Sequence, residues 1–187
     1  MTEVELAKVV AALQQGTVIA YPTEAVFGLG CDPDNNEAIA LLLQLKQREK
    51  SKGLILVAAD YQQLLPYIDD EKLSTEQRDR MLQSWPGSVT WVVPAQAHVS
   101  NWLTGQFQSI AVRISDHPTV RQLCRAFGKP VTSTSANLSG QPACRDSQQV
   151  FAQLGHHVAV IIDEPVGGRL NPSEIRDVFT GHIFRAG

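Results

Sequence analysis

Between Pro130 and Gly140 the chain reads Pro-Val-Thr-Ser-Thr-Ser-Ala-Asn-Leu-Ser-Gly, five hydroxyl side chains and one amide with no acid or base among them. Thr132, Ser133, Thr134, Ser135, Asn137 and Ser139 can all donate to oxyanions without entering covalent chemistry. They follow a short β-branched run that reads as a strand, and ligands of α/β sheets settle at strand ends. The composition is that of a phosphate cradle, although a polar loop whose side chains cap turns would use the same residues. A second cluster, Lys46-Gln47-Arg48-Glu49-Lys50-Ser51-Lys52-Gly53, alternates four cations with other residues between an apolar helical run and the strand Leu54–Val57. In extended chain, alternate side chains share a face, which would aim Lys46 and Arg48 together at an anion. Cations at the end of a helix also complement its dipole and can remain solvated.

The elements that must position these residues are legible from periodicity. Val4, Leu6, Val9, Val10 and Leu13 recur as a helix face that Gly16 is placed to end. Thr17–Tyr21 and Ala25–Leu29 read as two strands around the tight polar turn Pro22-Thr23-Glu24, and a second helix spans residues 36–46. Further strands are expected near residues 54–58, 89–93, 110–114, 131–133, 158–162 and 175–179, with helices near 75–83, 118–127 and 147–154. Helices interleaved with strands predict a layered α/β fold, and the close strand pairs predict a mixed parallel and antiparallel twisted sheet flanked by helices. No repeat, low-complexity tract or interior linker divides the chain, so residues 1–187 read as one domain.

Length and composition fit that reading. A domain of 187 residues can bury a full core, and 43% hydrophobic with 19% charged residues is ordinary for a globular protein. A net charge of −3 argues against a chain built for indiscriminate binding to a phosphate backbone. Cys31, Cys124 and Cys144 are odd in number and far apart, which suggests neither a disulfide framework nor a zinc site and makes a reducing cytoplasm the simplest location. No secretory signal or membrane-length apolar run is present. The five histidines lack metal spacing and read as surface or capping residues. There is no Walker A loop, Gly28-Leu29-Gly30 fails the dinucleotide fingerprint and reads as backbone close to a neighbour or ligand, and no nucleophile elbow or Ser-x-x-Lys occurs. Thr, Ser, Asn, Lys and Arg without a protein nucleophile suit phosphoryl or nucleotidyl transfer, which depends on positioning and charge stabilisation.

Tyr21-Pro22-Thr23-Glu24, Phe27-Gly28-Leu29-Gly30-Cys31-Asp32, Lys46-x-Arg48, Trp85-Pro86-Gly87, Val112-Arg113, Ser133-Thr134-Ser135-Ala136-Asn137-x-Ser139-Gly140 and Pro172-Ser173 together resemble the YrdC family, in order and over nearly the whole chain. The likeness is greatest to its short bacterial members. It implies a YrdC-like fold and synthesis of threonylcarbamoyl-AMP and pyrophosphate from L-threonine, bicarbonate or CO2, and ATP with Mg2+ carried on the ATP phosphates. It also implies a downstream transferase complex that modifies transfer RNA adenosine beside the anticodon.

Carried over by position, Thr23 is expected to contact the substrate threonine, and Lys46 and Arg48 to form the cationic pair for its carboxylate and the phosphates. Ser135 and Asn137 would hold the phosphate chain and the shell of its metal. Arg113, Ser133 and Ser173 are further candidates around the triphosphate, with a turn hydroxyl the alternative for Thr23 and Ser173 and a surface strand cation the alternative for Arg113. The chain departs from the family pattern at Ala25, Glu49, Ser88, Ser115 and Glu174. It also lacks the second domain of longer members, so closure over the site would come from this domain or a partner. On the synthase reading at most weak RNA binding is expected. Two other classes fit less well: a module that binds structured RNA tightly, resting on the cations at 46–52 but with no stacking-aromatic motif, and a sugar-phosphate enzyme for which Glu24 and Asp32 are thin support as metal ligands.

Overall fold

The computed structural model describes residues 1–187. Helix α1 (Glu3–Gln14) starts at a capping box in which Thr2 accepts from the Glu5 amide and Glu5 bonds back to Thr2, and the chain leaves it through Gly16 at a φ of 74°. Strands β1 (Ile19–Pro22) and β2 (Phe27–Gly30) form the expected hairpin, Ile19 opposite Gly30 and Pro22 opposite Phe27. Asn35 caps α2 (Asn36–Lys46) by accepting from the amides of Glu37 and Ala38. There follow β3 (Ile55–Ala58), α3 (Thr75–Gln83), β4 (Val89–Pro94), a short α4 (Asn101–Thr104), β5 (Ser109–Ile114), α5 (Pro118–Phe127), β6 (Val131–Ser135), α6 (Ser147–Leu154), β7 (Val160–Ile161), β8 (Glu174–Asp177) and β9 (Ile183–Arg185). Short α4 and β9 have too few residues for a periodic signal, and the sequence pattern does not reveal them.

The strands make one nine-stranded sheet in the order β7-β1-β2-β6-β3-β5-β4-β8-β9. Pairs β1/β7, β3/β5 and β4/β8 are parallel and the others antiparallel, so the sheet is mixed as expected. The sheet's two faces are covered unequally. On one, Ala20, Leu29, Leu56, Trp91 and Val112 join the α2 residues Ile39 and Leu42 in the larger core. On the other, Tyr21, Val57 and Val131 pack against Val9 and Leu13 of α1 and Val120 and Leu123 of α5 in a smaller one. These two helices shield only part of their face. Because side chains alternate along a strand, the uncovered remainder is floored by the residues two places on from that smaller core, and it is there that a cavity opens. No helix is long and apolar enough to cross a membrane.

Candidate active site

The cavity measures about 570 Å³. Its floor is contributed strand by strand: Gly28 from β2, Ser133 and Ser135 from β6, Ile55 from β3, Ala111 and Arg113 from β5, Val92 from β4, Ile175 and Asp177 from β8 and Arg185 from β9. The registers place these residues side by side, Gly28 opposite Ser135, Ile55 opposite both Ser133 and Ala111, Val92 opposite Ala111 and Asp177, and Ile175 opposite Arg185. The binding surface is thus a face of the sheet, where the sequence suggested strand ends alone.

Strand β6 emerges from the core towards its C-terminal end, with Val131 and Thr132 buried and Ser135 exposed. Thr132 does not face the cavity: its hydroxyl accepts from the Cys31 amide at 2.9 Å and belongs to the core. Ser133, Thr134 and Ser135 do line it, while Ser139 does not. Gly30, beside this strand, has no room for a side chain, because a Cβ would sit 2.3 Å from the Thr132 carbonyl oxygen and 2.8 Å from the Tyr21 ring. The close-backbone reading of Gly28-Leu29-Gly30 is thereby explained by a neighbouring strand.

The cationic segment is not extended. Lys46 ends α2, and Gln47 turns the chain through the left-handed region at φ 48° and ψ 41°, so Lys46 and Arg48 do not share a strand face. Lys46 Nζ donates instead to the Asn137 carbonyl and to its Oδ1, both at 2.7 Å, and lies behind the cavity lining. Burial and the nearby Arg48 lower its pKa to about 8. Arg48 lines the cavity and closes its own loop, Nε and Nη2 donating to the Gly53 carbonyl at 3.3 and 3.0 Å. Lys52 also lines the cavity, whereas Lys50 stands 3.9 Å above the Trp102 ring. The four cations therefore do not form a single patch.

Asn137 is saturated by the protein. Its Oδ1 accepts from Lys46 and from Ser135 Oγ at 2.8 Å, and its Nδ2 donates to the carbonyls of Leu138 and Gln141. It organises the loop after β6 and ties it to α2. Thr23 is buried on the cavity wall, its hydroxyl donating to the Val26 carbonyl at 2.7 Å, which leaves its oxygen free only to accept. Ser173 shares a hydrogen bond of 2.8 Å with Thr90 Oγ1 and accepts from Arg185. Arg113 is not a surface cation: it is 6% exposed and donates to Glu24 Oε2 at 2.5 Å. Although burial opposes its charge, Glu24 is held well below the usual carboxylate range by Arg113 and the Ser115 hydroxyl.

Sequence reasoning missed Arg185, whose Nε and Nη2 donate to the Ser173 carbonyl at 3.0 and 2.7 Å. Its only signal was a lone arginine near residue 187, with no periodic strand around it. Burial, followed by Arg113 and Arg48, lowers its pKa, so the charges of both other guanidinium groups reach Arg185 across the cavity. Against Arg48, Lys52, Arg113 and Arg185 stand only Glu24 and Asp177, and Leu54, Ile55, Leu103, Ile110 and Phe107 supply apolar wall. Such a site favours a polyanion with an apolar portion. No three His, Cys, Asp or Glu side chains converge to hold a metal ion. His98, His156, His157 and His182 are exposed, while His117 is buried as the N-cap of α5, its Nε2 3.0 Å from the Pro165 carbonyl.

Residues 11–187 match the profile of the family designated Sua5, YciO and YrdC and described as "Telomere recombination". A protein of Serratia proteamaculans (strain 568) named threonylcarbamoyl-AMP synthase is 61% identical over 179 residues, 96% of this chain and 94% of that one. A Photobacterium profundum protein with the same name is 58% identical over 182 residues, 97% of this chain and 98% of that one. Among solved structures, P. abyssi Sua5 complexed with L-threonine superposes with a TM-score of 0.88 at 26% identity, covering 95% of this chain but only 52% of that one. The chain thus spans about half the length of that longer protein. E. coli YciO, at 23% identity and a TM-score of 0.85 over 96% of this chain and 87% of its own, shares the fold.

Proposed function

The chain belongs to the Sua5/YciO/YrdC family, and from that premise we propose that it is a threonylcarbamoyl-AMP synthase, converting L-threonine, bicarbonate or CO2, and ATP into threonylcarbamoyl-AMP and pyrophosphate. The observation that carries the proposal is the convergence of Arg48, Arg113 and Arg185 with Ser133 and Ser135 on one partly apolar cavity of about 570 Å³. The neutral amine of threonine attacks the carbon of CO2 or bicarbonate and forms the carbamate, releasing a proton from the first or water from the second. A carbamate oxygen then attacks the α-phosphorus of ATP, and the bond to pyrophosphate breaks. The reaction needs anions held together in line and a fragile carbamate kept from water, and it needs no protein nucleophile.

In this reading Arg113 takes the threonine carboxylate, a planar match for guanidinium donors. Thr23 accepts from a substrate N–H or O–H. Ser133 and Ser135 donate to phosphate oxygens, Arg48 and Arg185 neutralise them from opposite walls, and Ser173 holds Arg185 in place. Lys46 and Asn137 act as a strut under the loop that carries Ser135, with the Lys46 charge adding to the field at the phosphates. Mg2+ would be carried in on the ATP phosphates and would neutralise them there; the cavity-lining hydroxyls of Ser133, Thr134 and Ser135 offer neutral oxygens suited to the shell of a hard cation, whereas the Asn137 amide oxygen is already taken by Lys46 and Ser135.

The product is activated for transfer, and we infer that a transfer RNA threonylcarbamoyl transferase complex consumes it, most simply in the cytoplasm. Purified protein incubated with ATP, Mg2+, bicarbonate and L-threonine should release pyrophosphate only when threonine is present. Release without threonine, or none at all, would overturn the assignment.

A further inference from the structure

We propose that Glu24 is a positioning residue that fixes the Arg113 guanidinium in the orientation that receives the substrate carboxylate. The inference rests on the function proposed above for its ligand and on the geometry of Glu24 for its substance. The Glu24 side chain is buried and its carboxylate is used by three donors from the end of β5 and the segment that follows: Arg113 Nη1 at 2.5 Å, Ser115 Oγ at 2.6 Å and the Asp116 amide at 3.2 Å. Its backbone is equally fixed. The Glu24 carbonyl accepts from the Arg169 amide at 2.9 Å, and a Cβ on Gly167 would meet Glu24 Cα at 3.0 Å, so the 167–169 loop lies directly on it. A carboxylate held on every side is a fixed stop and does not act as an exchangeable ligand.

Arg113 is the opposite case. Its single protein hydrogen bond is the one to Glu24, and the guanidinium is buried on the cavity wall, so its remaining donors are available to a ligand. Without Glu24 no other hydrogen bond would hold its guanidinium. Arg185, which lines the same cavity, would repel it. The acid therefore does two things at once. It offsets one charge of a crowded cationic cluster, and it selects which edge of the guanidinium faces the cavity, the edge that makes paired bonds to a carboxylate. A glutamine keeps the shape, and with its oxygen still accepting from Ser115 and Asp116 it removes the charge and turns an N–H2 toward Arg113.

The test is a cycle of Glu24→Gln, Arg113→Ala and the double variant, assayed for L-threonine binding by calorimetry and for threonine-dependent pyrophosphate release. Glu24→Gln should raise the KM and Kd for L-threonine roughly ten- to a hundred-fold, as loss of an orienting partner does elsewhere, while the KM for ATP changes less than about three-fold. In the Arg113→Ala background the same change should add almost nothing, because its effect passes through the arginine. Ser115→Ala, which leaves the ion pair intact, should raise the threonine KM only a few-fold and serves if Glu24→Gln does not fold. A crystal structure of Glu24→Gln gives a readout independent of turnover, the Arg113 guanidinium being expected to leave its place. An unmoved guanidinium with an unchanged threonine Kd, or a full additional loss in the Arg113→Ala background, would overturn the proposal. Absence of threonine-dependent turnover in the unaltered protein would instead overturn the synthase reading, and the guanidinium position would still decide the role of Glu24.

Discussion

At the scale of single residues, the arrangement around Arg48 makes charge alone an insufficient substitute. Its Nε and Nη2 close the loop onto Gly53 while the rest of the guanidinium faces the cavity, a division of labour that one ammonium cannot reproduce. Arg48→Lys is therefore expected to lower kcat/KM by roughly 1 to 3 kcal/mol of transition-state stabilisation, measured as pyrophosphate release at limiting substrate. Near-normal release would remove Arg48 from the site.

Lys46 gives a pH signature. With its pKa lowered to about 8 by burial and by Arg48, the free protein loses this charge as pH rises through 8, whereas a bound polyanion restores it. ATP binding should weaken between pH 7 and 9 with proton uptake on binding near pH 8, and Lys46→Ala should abolish that part of the slope in calorimetry. For folding the sign is reversed: a lowered folded-state pKa contributes stability as pH rises, so the loss belongs to ligand binding and not to unfolding. On the proposed function, Thr23 is the residue expected to set substrate choice. Since its own proton is given to the Val26 carbonyl, it can accept from a substrate hydroxyl, and L-threonine should stimulate pyrophosphate release far more than valine, with serine between them. Equal stimulation by threonine and valine would mean that the hydroxyl is not read.

At the scale of elements, two contacts decide whether the cradle has its shape. Asn137 joins the end of α2 to the loop after β6 through Lys46 and Ser135. Asn137→Ala removes an acceptor from both, and about a ten-fold loss in kcat/KM for ATP with about 1 kcal/mol of lost stability is expected, read by kinetics and thermal melting side by side. Gly30 lets β2 approach the neighbouring strand. Gly30→Ala forces a methyl group to 2.3 Å from a backbone oxygen that cannot swing aside. It should destabilise by roughly 1 to 3 kcal/mol or more and lower the melting temperature by several degrees. An unchanged melting temperature would mean that β2 and β6 are not pinned together there.

At the scale of the molecule, a net charge of −3 coexists with a cavity lined by four cations and two acids. Inside the cavity, low dielectric strengthens the field of these cations for a small ligand, and a net negative chain is not built for indiscriminate binding to a phosphate backbone. Transfer RNA should consequently bind weakly and lose most of that affinity between about 50 and 200 mM salt in a filter titration. Ser135→Ala with Asn137→Ala should abolish turnover and leave the weak RNA binding unchanged. Salt-resistant binding to one RNA shape with no turnover would favour an RNA module over a nucleotide site.

Sequence alone determined what local physics controls. The bounds of α2, α3 and α5 agree with the ranges read from the sequence, because a helix is closed by contacts three and four residues away. The hairpin of β1 and β2 was legible for the same reason, and the hydroxyl-rich residues at 130–140 marked a candidate anion cradle, of which Ser133, Thr134 and Ser135 line the cavity. What the tertiary structure decided was who faces whom. Lys46 and Arg48 are two residues apart, yet one left-handed residue between them sends the first to Asn137, far along the chain, and the second to Gly53. Arg113 and Glu24 are separated by 89 positions and meet only because β5 and the β1–β2 turn reach the same cavity. Arg185 enters it through a three-residue strand that has no local signature, being held by its pairing with β8. Strand pairing depends on register between distant segments, and a period of two along each strand fixes which residues alternate without fixing which strand lies beside it.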